Sequence, residues 1–487
     1  MAKRVSVIDI GSNSVRMMIY QKSSRFAFSI LHEAKSKVRL SQDAYQNGGV
    51  LQEEPMQRTL NILKDFLSIS TSFKVRKTLC VATSALRDAP NKKEFLQKAK
   101  EQLGLKIKII DGQKEAYFGA VAAYNLLPKK QDNSLTIDIG GGSTEFTLIS
   151  NNEITKPLSL KLGTVRLKEL FFDTNKTKEA IEYIDKELEV LDGFDVSTLI
   201  GIGGTFRALS QSILKISKHP LEKLHAFEYN TKTLLELTQK ILAADKEELK
   251  KLKIESNRFD VIKPGALIIE RVLRKLPLTN IVTSGVGVRE GVYLSDLLRN
   301  SKHRFPANFN PSVRLLLDKY CDNTNYANQL NKVAKTIFDL THKQFGIGSN
   351  HRYELAVAAK LYPIGESIHY FSKNKHTYFL IQTALEYGFE HKQIALISTL
   401  TRFAKNKRPS QEHYQNCEIL LPNTKVLDYL SFVLSLSVAL LSHRPRNIDF
   451  TLEAKQNTLY IHSKEQLSLA KDNVAKLQPY QLGVTFS

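Results

Sequence analysis

Asp138, Gly140, Gly141, Gly142, Ser143, Thr144 and Glu145 fall within eight residues, DIGGGSTE, at the end of an apolar run. A turn that aims backbone N–H groups at an anion needs side chains out of the way and freedom at φ, and consecutive glycines supply both. Ser143 and Thr144 add hydroxyl donors, while Asp138 and Glu145 flank the turn as oxygen ligands for Mg²⁺ or its waters. A shorter version, DIGSNSVR, gathers Asp9, Gly11, Ser12, Asn13, Ser14 and Arg16 near the amino end. Asp9 matches Asp138 and joins the metal candidates, and Arg16 is a candidate phosphate ligand. The two aspartates lie 138 − 9 = 129 positions apart, the mark of a duplicated unit. In GIGGTFRAL, Gly203, Gly204 and Thr205 sit where a strand meets a helix, so the helix N-terminus can receive an anion. One glycine turn is usually only a hairpin; two Asp-x-Gly hairpins at duplicate positions argue for a shared ligand. Neither is a P-loop, since GxxxxGK[ST] does not occur, and GVGVREG only approximates a dinucleotide fingerprint.

The elements that must carry these turns alternate. RVSVIDI, TLCVAT, KIKII, LTIDI and TLIGIG read as short strands, each followed by a turn and a helical pattern, which indicates α/β architecture over the first 300 residues. VSVIDIGSNSVRMMIYQ and LTIDIGGGSTEFTLIS read as strand, glycine turn, strand. The polar stretch Asn125–Asn133 is the expected boundary between two copies, 1–124 and 125–300, and RNSKHRFPANFNP is the expected linker into a third domain, 301–487. That last domain shows long helical periodicities, with a β-hairpin expected at FTLEAKQNTLYIHS.

The chain of 487 residues is long enough for several cored domains. Its 70 Lys+Arg against 49 Asp+Glu give +21, a charge that attracts nucleic acid, anionic membrane, nucleotides or phosphate chains, or simply keeps a lysine-rich surface soluble. Cys80, Cys321 and Cys417 are few and scattered, which fits a reducing cytoplasm and opposes a disulfide framework or structural zinc. MAKRVSVIDI runs straight into a strand pattern and is not read as a signal peptide. YLSFVLSLSVALL is too short and serine-rich to span a bilayer and is expected to be a buried helix. The expectation is a soluble cytoplasmic protein with no membrane partner and no module for reading nucleic-acid sequence.

Eight stretches in order make a resemblance: DIGSNSVR, RLSQ, ATSALRDAPN, DGQKEA, DIGGGSTE, LGTVRLKELF, GIGGTFRALS and SGVGVREG. Together they resemble the exopolyphosphatase / guanosine pentaphosphate phosphohydrolase family of the actin-like ATPase superfamily. The resemblance covers roughly the first 300 residues. It implies two ribonuclease-H-like lobes with the site in the cleft between them, one turn from each gripping the same phosphate chain. It also implies that Glu115 of DGQKEA is the catalytic base, and that Arg87 of ATSALRD contacts substrate phosphates. Arg16 then becomes a ligand for phosphate or guanosine tetraphosphate. Lys114 replaces a family glutamate and is expected to face away from the chemistry, since a cation facing the cleft would pair with Glu115 and weaken it. Arg258 and Arg289 are read as partners of nearby Asp260 and Glu290.

In longer members of that family the C-terminal domain resembles an HD-type metal phosphohydrolase. Here AVAAKLYPIG carries Tyr362-Pro363 in place of the His-Asp pair, Asn328 and Ala404 stand where other histidines are expected, and only His376 remains. The domain is therefore read as a degenerate, mainly helical HD-like unit. Lys373, Lys375, Arg402, Lys405, Lys407 and Arg408 would extend a basic channel for polyphosphate, or the domain would form a homodimer surface. The function expected is Mg²⁺-assisted release of terminal phosphate from polyphosphate, guanosine pentaphosphate or both. Two alternatives share the turns: an actin-like kinase or ATPase, and a non-catalytic sensor of polyphosphate or guanosine tetraphosphate.

Overall fold

The first hairpin pairs β1 (Arg4–Ile10) antiparallel with β2 (Val15–Lys22), and Asp9 lies opposite Arg16. In this computed structural model, which describes residues 4–128, 133–404 and 408–487, β2 continues to β3 (Phe28–Ser36). On its other edge β1 pairs in parallel with β4 (Lys77–Ala82), and β4 with β5 (Lys108–Ile109), giving the order β3-β2-β1-β4-β5. The second hairpin repeats the plan. β6 (Ser134–Ile139) runs antiparallel to β7 (Thr144–Ser150), which pairs with β8 (Glu153–Leu160). β6 pairs in parallel with β9 (Thr198–Ile202), beyond which lie β11 (Asn280–Thr283) and the antiparallel edge strand β10 (Phe227–Asn230).

Both hairpins thus sit at the centre of their sheets, where strands are covered on two faces, and the sequence pays in apolar residues. Val7, Ile8, Ile10, Val15, Met17 and Ile19 are buried in one sheet; Leu135, Ile137, Phe146, Leu199 and Ile200 in the other. Each such side chain contributes roughly 1.5–3 kcal/mol on burial, so the strand ends that carry the turns are firmly anchored. The helix Gly112–Leu126 starts at Asp111, whose carboxylate accepts the Lys114 N–H, and buries its alanine-rich face of Ala116, Ala120, Val121 and Ala123. All of this belongs to one compact unit ending at Phe309.

The second unit, Asn310–Ser487, is mainly helical. The helix Thr424–Leu440 contains the apolar stretch noted above and is its buried centre, with Leu427, Tyr429, Leu430, Val433, Leu434 and Leu440 in the core. The expected hairpin forms from β12 (Thr451–Lys455) and β13 (Thr458–His462), and β14 (Gly483–Phe486) adds a parallel third strand that the sequence pattern did not announce. No single described helix is long and apolar enough to cross a membrane; the pair Gln411–Leu420 and Thr424–Leu440, bent by 110°, passes by length and composition only.

Candidate active site

The two turns are built alike. Gly11 N–H donates to the Ser14 carbonyl at 3.2 Å, and Gly140 N–H to the Ser143 carbonyl at 2.9 Å. Their other carbonyls are tied backwards. In the first turn, Ser12 and Asn13 carbonyls accept from Ser41 and Arg39 N–H at 3.2 and 3.0 Å. In the second, Gly140 and Gly141 carbonyls accept from Thr164 and Val165 N–H at 3.0 and 2.8 Å, and the Gly142 carbonyl from Arg166 Nε at 2.8 Å. RLSQ and LGTVRLKELF are therefore the braces of the two turns. Among the described residues, the N–H groups of Ser12, Asn13, Gly141 and Gly142 make no hydrogen bond within the protein. Unpaired N–H groups held in a concave turn can receive an anion.

The turns meet face to face. A Cβ on Gly142 would stand 2.2 Å from Tyr45 Oη and 2.3 Å from Ser84 Oγ, so a side chain there would have to displace these hydroxyls. Ser12 Oγ in turn lies 3.0 Å from Ser84 Oγ. A cavity of about 140 Å³ opens between the sheets, lined by Asp9, Gly11, Ser12, Asn13, Ser14 and Arg16 from the first. Asp138, Gly140, Gly141, Ser143, Glu145, Gly203, Gly204 and Thr205 line it from the second, with Glu115 beside them. Gly203 has φ +82, and a Cβ there would lie 2.2 Å from Asp138 Oδ1, so a side chain would strain the backbone and push Asp138 aside.

Glu115 is buried, and its Oε2 accepts from Arg87 Nη1 at 2.8 Å. Burial, and then the charge of Glu145, push its carboxyl well above the usual range, while Arg87 pulls it back. Burial also raises Glu145 to about 7, with Ser143 and Ser159 opposing and Asp138 adding to the rise. Asp138 is pushed up to about 6 by burial, against the pull of Arg207, and Asp9 is raised for the same first reason. Four carboxyls, two of them on buried residues, thus crowd one cavity with their pKa values raised, a pattern that marks a functional-site candidate. Arg16, Arg207, Arg258 and Arg289 face them from the lining. Burial, then Arg207 and Arg289, lower Arg16 to about 10, so like charges are packed there as well.

Two family descriptions match this chain: Ppx/GppA phosphatase over residues 18–300 and Ppx/GppA phosphatase, domain III, over 310–481. The chain belongs to the Ppx/GppA phosphatase family. A bifunctional 3-dehydroquinate synthase/phosphatase from Fusobacterium nucleatum is 34% identical over 287 residues, a match spanning 55% of this chain and 42% of that protein. A guanosine-5'-triphosphate,3'-diphosphate pyrophosphatase from Photobacterium profundum is 27% identical over 415 residues, covering 82% of this chain and 79% of the other. Among solved structures, the Aquifex aeolicus member of the Ppx/GppA family superposes with TM-score 0.54 at 30% identity, over 62% of this chain and 99% of that one. An exopolyphosphatase from Cytophaga hutchinsonii gives TM-score 0.57 at 26% identity, over 62% and 100%. The fold is the actin-like one of these Ppx/GppA structures, followed by a helical domain III.

Within this Ppx/GppA frame, several residues depart from the reading of the sequence. Thr144 does not reach the cavity: it is buried, and its hydroxyl donates to the Leu162 carbonyl. Gly142 lies behind the lining, against Tyr45. Arg87, expected on the substrate phosphates, is not on the lining; it clamps Glu115 at 2.8 Å. Arg289 makes its ion pair with Glu33 at 2.9 Å while the charge of Glu290 also acts on it, and Asp260 pairs with Lys37 and Arg39 while Arg258 faces the cavity. Lys114 is exposed and off the lining. Thr83, Ser84, Thr164 and Arg207 line the cavity without having been singled out, although Arg207 stands one helical turn beyond Gly203 in a stretch already noted.

In domain III, Tyr362 is fully buried and Glu366 accepts from Lys373 at 2.6 Å and from Arg444. Asn328 is exposed and Tyr326, not Asn328, is the buried neighbour of Tyr362. Of the expected basic channel, Lys373 is committed to Glu366, Arg402 stacks over Tyr378 and Arg408 donates to the Pro479 carbonyl, while Lys375 is exposed. Lys405 and Lys407 lie outside the described residues.

Proposed function

We propose that this chain is a phosphohydrolase that releases terminal phosphate from inorganic polyphosphate, guanosine pentaphosphate or both, with water as nucleophile. One observation carries the reading: two turns with uncommitted N–H groups confront a buried carboxylate, Glu115, across a single cavity. Water attacks the terminal phosphorus, the phosphoanhydride bond breaks, orthophosphate and the shortened chain leave, and Glu115 takes the water's proton. A carboxylate raised by burial is a stronger base once ionised, which suits that step. Turn N–H groups and the lining arginines meet the charge on the phosphate oxygens, and because they are fixed in place they need no reorganisation as the reaction proceeds. The two substrates follow the printed names of the Photobacterium and Cytophaga relatives.

Mg²⁺ fits the donors present. Asp9 Oδ1 is buried without a hydrogen-bond partner, and Asp138 and Glu145 add carboxylates on the same lining. Among the described residues no three such groups close around one point. Mg²⁺ accepts that, since it commonly takes one or two carboxylates and completes its shell with water and substrate phosphate. When bound it would neutralise charge on the phosphate oxygens.

Phosphate release should be measured side by side from long-chain polyphosphate, guanosine pentaphosphate and ATP, at fixed Mg²⁺. Release from either of the first two supports the proposal. Release from ATP alone, or tight binding of all three with no release, sinks it in favour of the ATPase or the sensor.

A further inference from the structure

The brace behind the second turn also grips the first lobe, and Arg166 is the residue that joins them. On the second-lobe helix Thr164–Leu170, its Nε holds the Gly142 carbonyl at 2.8 Å. Its Nη2 reaches Asp88 of the first lobe at 2.9 Å, and its guanidinium lies 4.4 Å from the ring centroid of Tyr45, also of the first lobe. Tyr45 Oη donates to Ser12 Oγ in the first turn. One turn further along the same helix, Glu169 accepts from the Asp43 N–H at 3.2 Å, and its carbonyl accepts from Gln46 Nε2 at 3.2 Å. Asp88 is the neighbour of Arg87, which clamps Glu115. Arg166 itself is not on the cavity lining.

We infer that Arg166 is a positioning residue that couples closure of the two lobes to the ligand-facing form of the glycine turn. Its planar fork divides between a carbonyl that fixes the turn and a carboxylate that exists only on the other lobe, and lysine cannot make both bonds with one point charge. With the lobes apart, the fork loses Asp88 and Tyr45, and the peptide joining Gly142 to the lining residue Ser143 is free to rotate the Ser143 N–H away from the phosphate. With the lobes together, both turns and the Glu115 clamp are set by one side chain. Closure therefore assembles the anion site instead of merely covering it. This inference rests on the hydrolase reading for its kinetic arm only.

The test uses the full chain with Arg166→Lys and Asp88→Asn, singly and combined. Amide hydrogen exchange over residues 140–143 should be faster in each variant, with global unfolding midpoints close to the wild type, and tripolyphosphate should slow that exchange less than in the wild type. For polyphosphate hydrolysis kcat should fall about tenfold or more, the double variant being no worse than Arg166→Lys, because coupled residues are non-additive. Unchanged exchange at 140–143 in a folded Arg166→Lys protein overturns the inference, as do additive losses in the double variant. A wild type that releases no phosphate defeats the hydrolase reading, and the exchange arm still decides the role of Arg166.

Discussion

Arg87 holds Glu115: Nη1 donates to Oε2 at 2.8 Å, while Nη2 reaches Ser143 Oγ at 3.4 Å in the second turn. The carboxylate proposed to take a proton from water is thus oriented by a cation that also touches the second glycine turn. Glu115→Gln keeps the shape and a hydrogen bond with Arg87 but cannot accept that proton. Phosphate release is expected to fall by about 10²–10⁴-fold, the usual worth of a general base, while substrate affinity by calorimetry changes little. A variant that loses affinity and turnover together would assign Glu115 to binding.

The pair also makes a pH prediction. Burial and Glu145 raise the Glu115 carboxyl and Arg87 lowers it, so removing Arg87 moves the carboxyl further up. Glu115 must be ionised to act, so the acid limb of the kcat/KM profile in Arg87→Met should shift upward by about 1–3 pH units, the range of a nearby opposite charge. An acid limb that stays put, with only its height reduced, would separate Arg87 from the titrating group.

How much of this could be read beforehand divides by distance along the chain. The hairpins were legible because glycine, hydroxyl and carboxylate chemistry is local, and their duplicate spacing reappears as matched registers, Asp9 opposite Arg16 and Asp138 opposite Glu145. Thr144 was misread although the signal was present. Neighbours on a strand face opposite ways, so with Glu145 turned to the cavity Thr144 must face the core. Arg258 and Arg289 were assigned to the nearest acids in sequence, whereas the fold supplies Glu33 from 256 residues away and gives Asp260 to Lys37 and Arg39. The braces were visible as motifs, but what they hold, the backs of the turns, depends on a meeting of lobes that no local pattern encodes.

Gly203 offers a test of how tightly the site is built. Its φ of +82 and the 2.2 Å approach of Asp138 Oδ1 both oppose a Cβ. Gly203→Ala should lose about 1–2 kcal/mol from backbone strain alone, read by chemical denaturation, and should displace Asp138. Activity should drop further than stability explains, and added Mg²⁺ should recover part of it. Unchanged stability would mean that the turn relaxes freely.

The crowded carboxyls give the protein a pH-dependent stability of unusual sign. Asp138 rises from 3.8 to about 6 and Glu145 from 4.5 to about 7, chiefly through burial. Between those limits the folded chain holds protons that the unfolded chain has released, so stability falls as pH rises through the window. Glu145→Gln removes one of the two groups, so the variant should gain on the wild type in thermal midpoint from about pH 5 to about pH 8. Divalent cation should act the other way, because it needs the ionised form and competes with protons. Mg²⁺ should therefore raise the wild-type midpoint at the alkaline end, do little at the acid end, and lose much of its effect in Asp138→Asn. A difference curve between wild type and Glu145→Gln that is flat across the window would show that Glu145 is not the buried, proton-holding group that this geometry makes it.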